Sequence, residues 1–196
     1  MNTFIRILYV GMTILILLIT ACTSDSKKEE TKNTEASIEQ IVKRGEYLVN
    51  SIGCDDCHSP KAFGPRGPEI ISELRFSGYP AGKELPKINK GELQNWAMFS
   101  HDLTAAVGPW GVSFAANISS DDSGIGLWTE EQFIKAIRFG KFKGLDGSRQ
   151  LLPPMPWPVY RNLTDEDLKA IFAYLKTTKP VRNIVPAPIA PNEIKD

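Results

Sequence analysis

The chain has 196 residues, with 23 basic and 23 acidic side chains and a formal net charge of zero. That length is enough for one domain with a real core, and the composition is that of an ordinary globular protein. The charge balance excludes nucleic acid and polyanionic ligands as expected partners.

The N-terminus carries Arg6, then an apolar run over 7–19, then Ile19-Thr20-Ala21-Cys22. A short apolar stretch ending in small residues is an export signal. It is shorter than the roughly 20 residues that a membrane span needs. The ending resembles a bacterial lipoprotein lipobox, which implies cleavage after residue 21 and lipid on Cys22. An uncleaved membrane helix with an incidental cysteine is the alternative. Residues 23–37 are almost devoid of apolar side chains and cannot bury enough surface to order. They read as a tether spanning on the order of 20 Å. The domain is expected over 38–180, with a Pro-rich tail over 181–196.

A first helix is predicted over 38–52. Ser37 and Gln40 have capping-box spacing, and Ile38, Ile41, Val42, Gly45, Leu48, Val49 and Ile52 follow a helical period. Gly45 lies inside it, where glycine costs about 1 kcal/mol against alanine; close approach of another helix would compensate. Gly53 ends the helix, and Cys54-Asp55-Asp56-Cys57-His58 follows. This Cys-x-x-Cys-His run is the attachment pattern of c-type haem. Two thiols one helical turn apart suit the two vinyl groups of one porphyrin, and the adjacent imidazole offers a nitrogen to the iron. The alternatives are a zinc knuckle and a redox dithiol. Zinc needs about four ligands, and the other His and Cys residues of the chain are His101 and Cys22. A redox dithiol belongs beside a strand–helix–strand pattern, which is missing here.

Residues 59–127 are too long for a structureless loop. Short strands or a hairpin are expected near 73–79 and 104–118. A second helix is predicted over 130–139, with a Thr129/Gln132 capping box, buried Phe133, Ile134 and Ile137, and Gly140 at its end. A third is predicted over 165–177, capped by Thr164, with a Leu168, Ile171, Phe172, Leu175 stripe.

Past the leader the methionines are Met98 and Met155. Met155 sits in Leu152-Pro153-Pro154-Met155-Pro156-Trp157-Pro158, a segment that prolines stiffen. A thioether held this way suits haem iron opposite a histidine. Met98 reads as an apolar packing residue and His101 as a solvated one. An axial histidine donates its second N–H to a carbonyl. Pro65 and Pro68 are the candidates, with Pro68 preferred. Trp128 and Arg138 are candidates for a haem propionate, against a core tryptophan and a solvated arginine.

Taken together, the ordered motifs resemble class I cytochromes c, in particular the cytochrome c modules associated with membrane-bound alcohol and sugar-acid dehydrogenases. The resemblance covers about 38–180. It rests on Cys54 to His58, on Gly108-Pro109-Trp110-Gly111-Val112-Ser113-Phe114-Ala115-Ala116-Asn117-Ile118 and on Gly124-Ile125-Gly126-Leu127-Trp128-Thr129. Ala136-Ile137-Arg138-Phe139-Gly140, Pro154-Met155-Pro156 and Leu163-Thr164-Asp165-Glu166-Asp167-Leu168 complete it. The resemblance implies a mainly α cytochrome c fold, with three main helices around one covalent haem and a long insertion bearing short strands. It also implies a crossing of the first and last helices with Gly45 near Tyr174, and iron ligation by His58 and Met155.

The expected function is that of a membrane-anchored, single-haem electron carrier facing the periplasm or the cell exterior. It would link a dehydrogenase or quinol-oxidising donor to a terminal oxidase or reductase, with no small-molecule substrate. The alternative is a haem enzyme or gas sensor whose sixth ligand is displaceable.

Overall fold

The computed structural model describes residues 37–195. The predicted leader, the lipid site at Cys22 and nearly all of the tether lie outside the described residues. Helix α1 runs over 37–51, and one compact unit starts within it at Ile41. Its buried face is Gly45, Leu48 and Val49. After a turn at 52–53 comes the short helix α2, Cys54–His58, with Gly53 at its N-cap.

Helix α3, Glu130–Phe139, and the last helix, Asp165–Thr177, have the predicted boundaries. Thr129 Oγ1 accepts from Gln132 N, and Gln132 Oε1 accepts from Thr129 N, so the capping box closes. Thr164 Oγ1 accepts from Asp167 N at the start of the last helix. Between the two lies a one-turn helix, α4, Trp157–Tyr160, which makes the last helix α5. Its stripe of Leu168, Ile171, Phe172 and Leu175 is buried. Each of these side chains contributes about 1.5–3 kcal/mol when removed from water. They pack with Leu48 and Val49 of α1, Phe133 of α3, and Phe76 and Ile125 from the loops. The result is a mixed fold of helices and short strands, consistent with a cytochrome c-like arrangement.

Gly45 is where α1 meets α5. A Cβ built on it would lie 1.9 Å from Ala170 O and 2.8 Å from the Tyr174 Cβ. The mid-helix glycine is therefore a contact point between backbones, as the resemblance implied.

The insertion differs from expectation. Residues 61–70 form a hairpin of β1, Lys61–Gly64, and β2, Gly67–Ile70, with Pro65 and Arg66 at its tip. The segment near 73–79 is not a strand: it holds a 3-10 turn at Ser72–Leu74 and left-handed residues at Phe76 and Gly78. The expected strands near 104–118 do form, as β4, Ala105–Gly108, and β5, Gly111–Phe114. A short β3, Met98–Phe99, pairs with the other side of β4. The free edge of β5 is met by the tail, where Val112 and Ile189 exchange both backbone hydrogen bonds, at 2.8 and 3.0 Å. Val107, Val112 and Ile194 build a second small core, with Met98 and Ile189 against it. Asn183 Nδ2 donates to Ser77 O and Tyr79 O, so the tail straps the insertion.

Asp102 organises the turn before β4. Ser100 Oγ and Thr104 Oγ1 donate to its carboxylate, and Lys83 Nζ lies 2.6 Å from Oδ2. Burial alone would raise this carboxyl, but Lys83, Ser100 and Thr104 together hold it below the usual carboxylate value.

Two outcomes follow from this packing. Gly45→Ala gains about 1 kcal/mol of helix propensity, but the added methyl forces the α1–α5 crossing apart, at about 1–3 kcal/mol or more. Denaturant titration is expected to show net destabilisation, and a stabilised variant would refute the crossing. For Asp102, a depressed folded pKa means stability that is complete above the unfolded value of about 3.9 and lost as pH falls through the folded value. Asp102→Asn is therefore expected to cost about 1–3 kcal/mol at neutral pH. In acid melts the gap to wild type should shrink below about pH 4.

Candidate haem-binding site

Helix α2 carries three of the predicted residues on one turn. Cys54 is partly buried against the main core, and burial, followed by the Asp55 charge, pushes its thiol up to about 12. Burial also raises the Cys57 thiol. Both groups are therefore protonated at neutral pH, unlike the lowered thiols of redox Cys-x-x-Cys sites. Among the described residues, no group of three or more His, Cys, Asp or Glu is placed to hold a metal ion. Among those residues a zinc knuckle would lack its remaining ligands.

His58 Nδ1 lies 2.7 Å from Ala116 O. A carbonyl only accepts, so Nδ1 carries the proton and the Nε2 lone pair is left free for a metal. Burial lowers the imidazole's pKa against the opposing pull of the Ala116 carbonyl, which favours the neutral form that ligation needs. The backbone of the same residue is also held, because Gly78 N donates to His58 O at 2.8 Å. The expected partner, Pro68, is corrected here: it stands in β2 opposite Phe63. Ala116 lies just beyond β5, and a backbone carbonyl leaves no trace in the identity of its residue.

Asp55, between the cysteines, is also fixed. Arg75 reaches both of its carboxylate oxygens, with Nη2 at 2.6 Å from Oδ2, and Ser59 Oγ donates to Oδ1. The same guanidinium donates to Asn50 on α1 and lies 3.3 Å from the Tyr174 hydroxyl on α5. Lys61 Nζ caps the carbonyl end of α2. Neither Arg75 nor Lys61 was singled out by the sequence, since a lone basic residue carries no spacing signal.

Met155 is partly exposed, in the segment that leads into α4. Two hydrogen bonds anchor this segment. Ser113 Oγ of β5 donates to Pro153 O at 2.6 Å, and Tyr160 Oη donates to Ile52 O at 2.6 Å, two residues before Cys54. Burial raises the Tyr160 phenol, and the nearby Cys54 and Cys57 add to the effect. The Met155 segment is thus strung between β5 and the approach to α2.

Trp128 packs partly buried against the main core. Arg138 is engaged within the protein: Nη1 donates to Arg161 O and Leu163 O, and Nη2 pairs with Asp165, so it ties α3 to the start of α5. His101 is exposed, with its ring edge-on to Phe63 at 6.0 Å. Met98 packs on the second core as a strand residue.

These residues fit a covalently held haem. Two thiols lie one turn apart, an imidazole is oriented with one nitrogen free, and a thioether-bearing segment is anchored nearby. Among the described residues, no helix is long and apolar enough to cross a membrane.

No protein-family model matches the chain. It is 32% identical over 174 residues to the fructose dehydrogenase cytochrome subunit of Gluconobacter japonicus, covering 87% of this chain and 28% of that protein. It is 33% identical over 135 residues to the gluconate 2-dehydrogenase cytochrome c subunit of Pantoea cypripedii, covering 68% of this chain and 22% of that protein. The cytochrome c subunit of the quinone alcohol dehydrogenase of Gluconacetobacter polyoxogenes is 41% identical over 143 residues, covering 72% and 23%. The chain thus spans less than a third of the length of these relatives. These relatives are cytochrome subunits of fructose, gluconate and alcohol dehydrogenases, and the chain matches a cytochrome c module associated with dehydrogenases.

Proposed function

We propose that this protein is a single-haem c-type cytochrome that carries electrons at a membrane surface. The observation that carries the reading is the pairing of His58 Nδ1 with Ala116 O on the same short helix as Cys54 and Cys57. Cys54 and Cys57 would hold haem c through thioether bonds, and His58 Nε2 would be one ligand of its iron. Met155 would be the second, on a segment that Ser113 and Tyr160 anchor. When bound, haem c supplies one-electron chemistry between ferric and ferrous iron. Iron held by both His58 and Met155 would have no ligand position left for a substrate. Trp128 remains a candidate for a propionate, whereas Arg138 already has protein partners.

The names of the relatives support a dehydrogenase as the electron donor. A quinol-oxidising complex is the other donor class, and a terminal oxidase or reductase would be the acceptor. The lipobox-like ending supports lipid on Cys22, with the domain facing the periplasm or the cell exterior. Export matches the compartment in which covalent haem attachment takes place.

Three measurements test the reading. Haem should stay on the denatured wild type and be lost from the Cys54→Ala, Cys57→Ala double variant. The ferric wild type should be low-spin with a methionine–iron charge-transfer band, and Met155→Ala should lose that band. A high-spin wild type that binds carbon monoxide avidly would overturn the carrier reading in favour of a haem enzyme or gas sensor. Cys22→Ala should abolish labelling by radioactive palmitate and release the protein from the membrane fraction. Labelling that persists in that variant would overturn the proposed lipid site.

A further inference from the structure

The hairpin that follows the haem motif does more than fill the insertion. Lys61, its first residue, points its ammonium into a ring of four backbone carbonyls. Asp56 O lies at 2.6 Å, Ser59 O at 3.0 Å, Asp102 O at 3.1 Å and Asp55 O at 3.2 Å. Two of these are carbonyls of α2 and a third belongs to the residue just after it. A cation is favoured at that end of a helix, where carbonyls lack intrahelical partners. The fourth carbonyl comes from the turn that the Asp102 carboxylate organises through Ser100, Thr104 and Lys83. Lys61 is also held from its own side, because β1 pairs it with Ile70. The side chain is thus fixed by two separate pieces of the insertion, at the end of the helix that bears the haem attachment residues.

We propose that Lys61 is a positioning residue that serves as a built-in cation: it holds the carbonyl end of the haem-bearing helix and, by its fixed charge, raises the reduction potential of the haem. This rests on the haem-binding reading above. One electron from the donor converts ferric to ferrous iron and lowers the positive charge at the iron by one. A neighbouring fixed cation disfavours the ferric form more than the ferrous, and it does so most where water is excluded. Lysine suits the position as a compact point charge with three donors.

The test is a spectroelectrochemical titration of the holoproteins: wild type, Lys61→Met, Lys61→Arg, and Lys179→Met as an exposed-charge control. At the wild-type midpoint potential, Lys61→Met is expected to lower the ratio of reduced to oxidised haem several-fold and to keep the methionine–iron band. Lys61→Arg should restore the ratio in large part, and Lys179→Met should leave it near wild type. A Lys61→Met protein with an unchanged ratio, or with the same shift as Lys179→Met, overturns the proposal. Should Lys61→Met fail to acquire haem, Lys61→Arg decides. Haem attachment recovered with the charge supports the proposal, and loss in both variants overturns it in favour of side-chain packing. A wild type without covalent haem would instead refute the haem reading before any variant is compared.

Discussion

The hydrogen bond from His58 Nδ1 to Ala116 O is the constraint around which the site is arranged. It settles the tautomer, turns the imidazole and joins α2 to the chain just beyond β5. The bond would be of little use if either end moved, and much of the insertion serves to hold both ends. Gly78 N donates to His58 O, and the next residue, Tyr79, donates its N–H to Ala115 O. The segments 76–79 and 115–119 therefore run in contact on either side of the histidine, with Ile118 N and Ser119 N both donating to Phe76 O. Gly78 makes this contact possible. Its φ is +74°, and a Cβ there would lie 2.3 Å from Ala115 O, so both conformation and space demand glycine.

From the same stretch the structure reaches the other candidate ligand. Ser113, three residues before Ala116, bonds Pro153 O, two residues before Met155. One short segment, 113–116, thus touches the supports of both His58 and Met155. That segment is itself pinned by the tail, through the Val112–Ile189 pair and through Asn117 Nδ2 donating to Val181 O. Order in the tail and order in the site are linked through β5, even though the tail carries no candidate ligand.

The parts that were legible in the sequence are those written in local code. The boundaries of α3 and α5 could be placed because Thr129, Gln132 and Thr164 cap them, and a 3.6-residue stripe fills their buried faces. The Cys54 to His58 run could be read because its chemistry depends on spacing along one helix. The β1–β2 hairpin was missed because Gly64-Pro65-Arg66-Gly67-Pro68 reads first as loop punctuation, and its flanks lack the alternation of a half-buried strand. Pro68 was preferred as a carbonyl source by its nearness in sequence, whereas the actual partner, Ala116, lies 58 residues away from His58. Asn117 and Asn183, which hold the tail in place, act mainly on backbone groups brought close only by folding. No pattern of residue types announces such contacts.

The two residues between the cysteines show how unequal apparently similar positions become. Asp56 is exposed, but the Asp55 side chain is 14% exposed and bound by Arg75, whose other donors reach α1 and α5. An exposed ion pair contributes about 0–1 kcal/mol. Here Asp55 is the buried partner while Arg75 is 35% exposed, so the cost falls mainly on removing Arg75, which would leave the Asp55 carboxylate without its cation. Arg75 lies 4.4 Å from the Phe76 ring centroid, on the residue whose N–H donates to Ser59 Oγ, and that hydroxyl in turn donates to Asp55. The loop of bonds closes on itself, so α2 is held from its side by Arg75 and from its end by Lys61. A helix of five residues has too few internal hydrogen bonds to keep its own geometry. Its rigidity has to come from these two basic side chains and the core beneath Cys54, which gives the insertion a structural reason to be as long as it is.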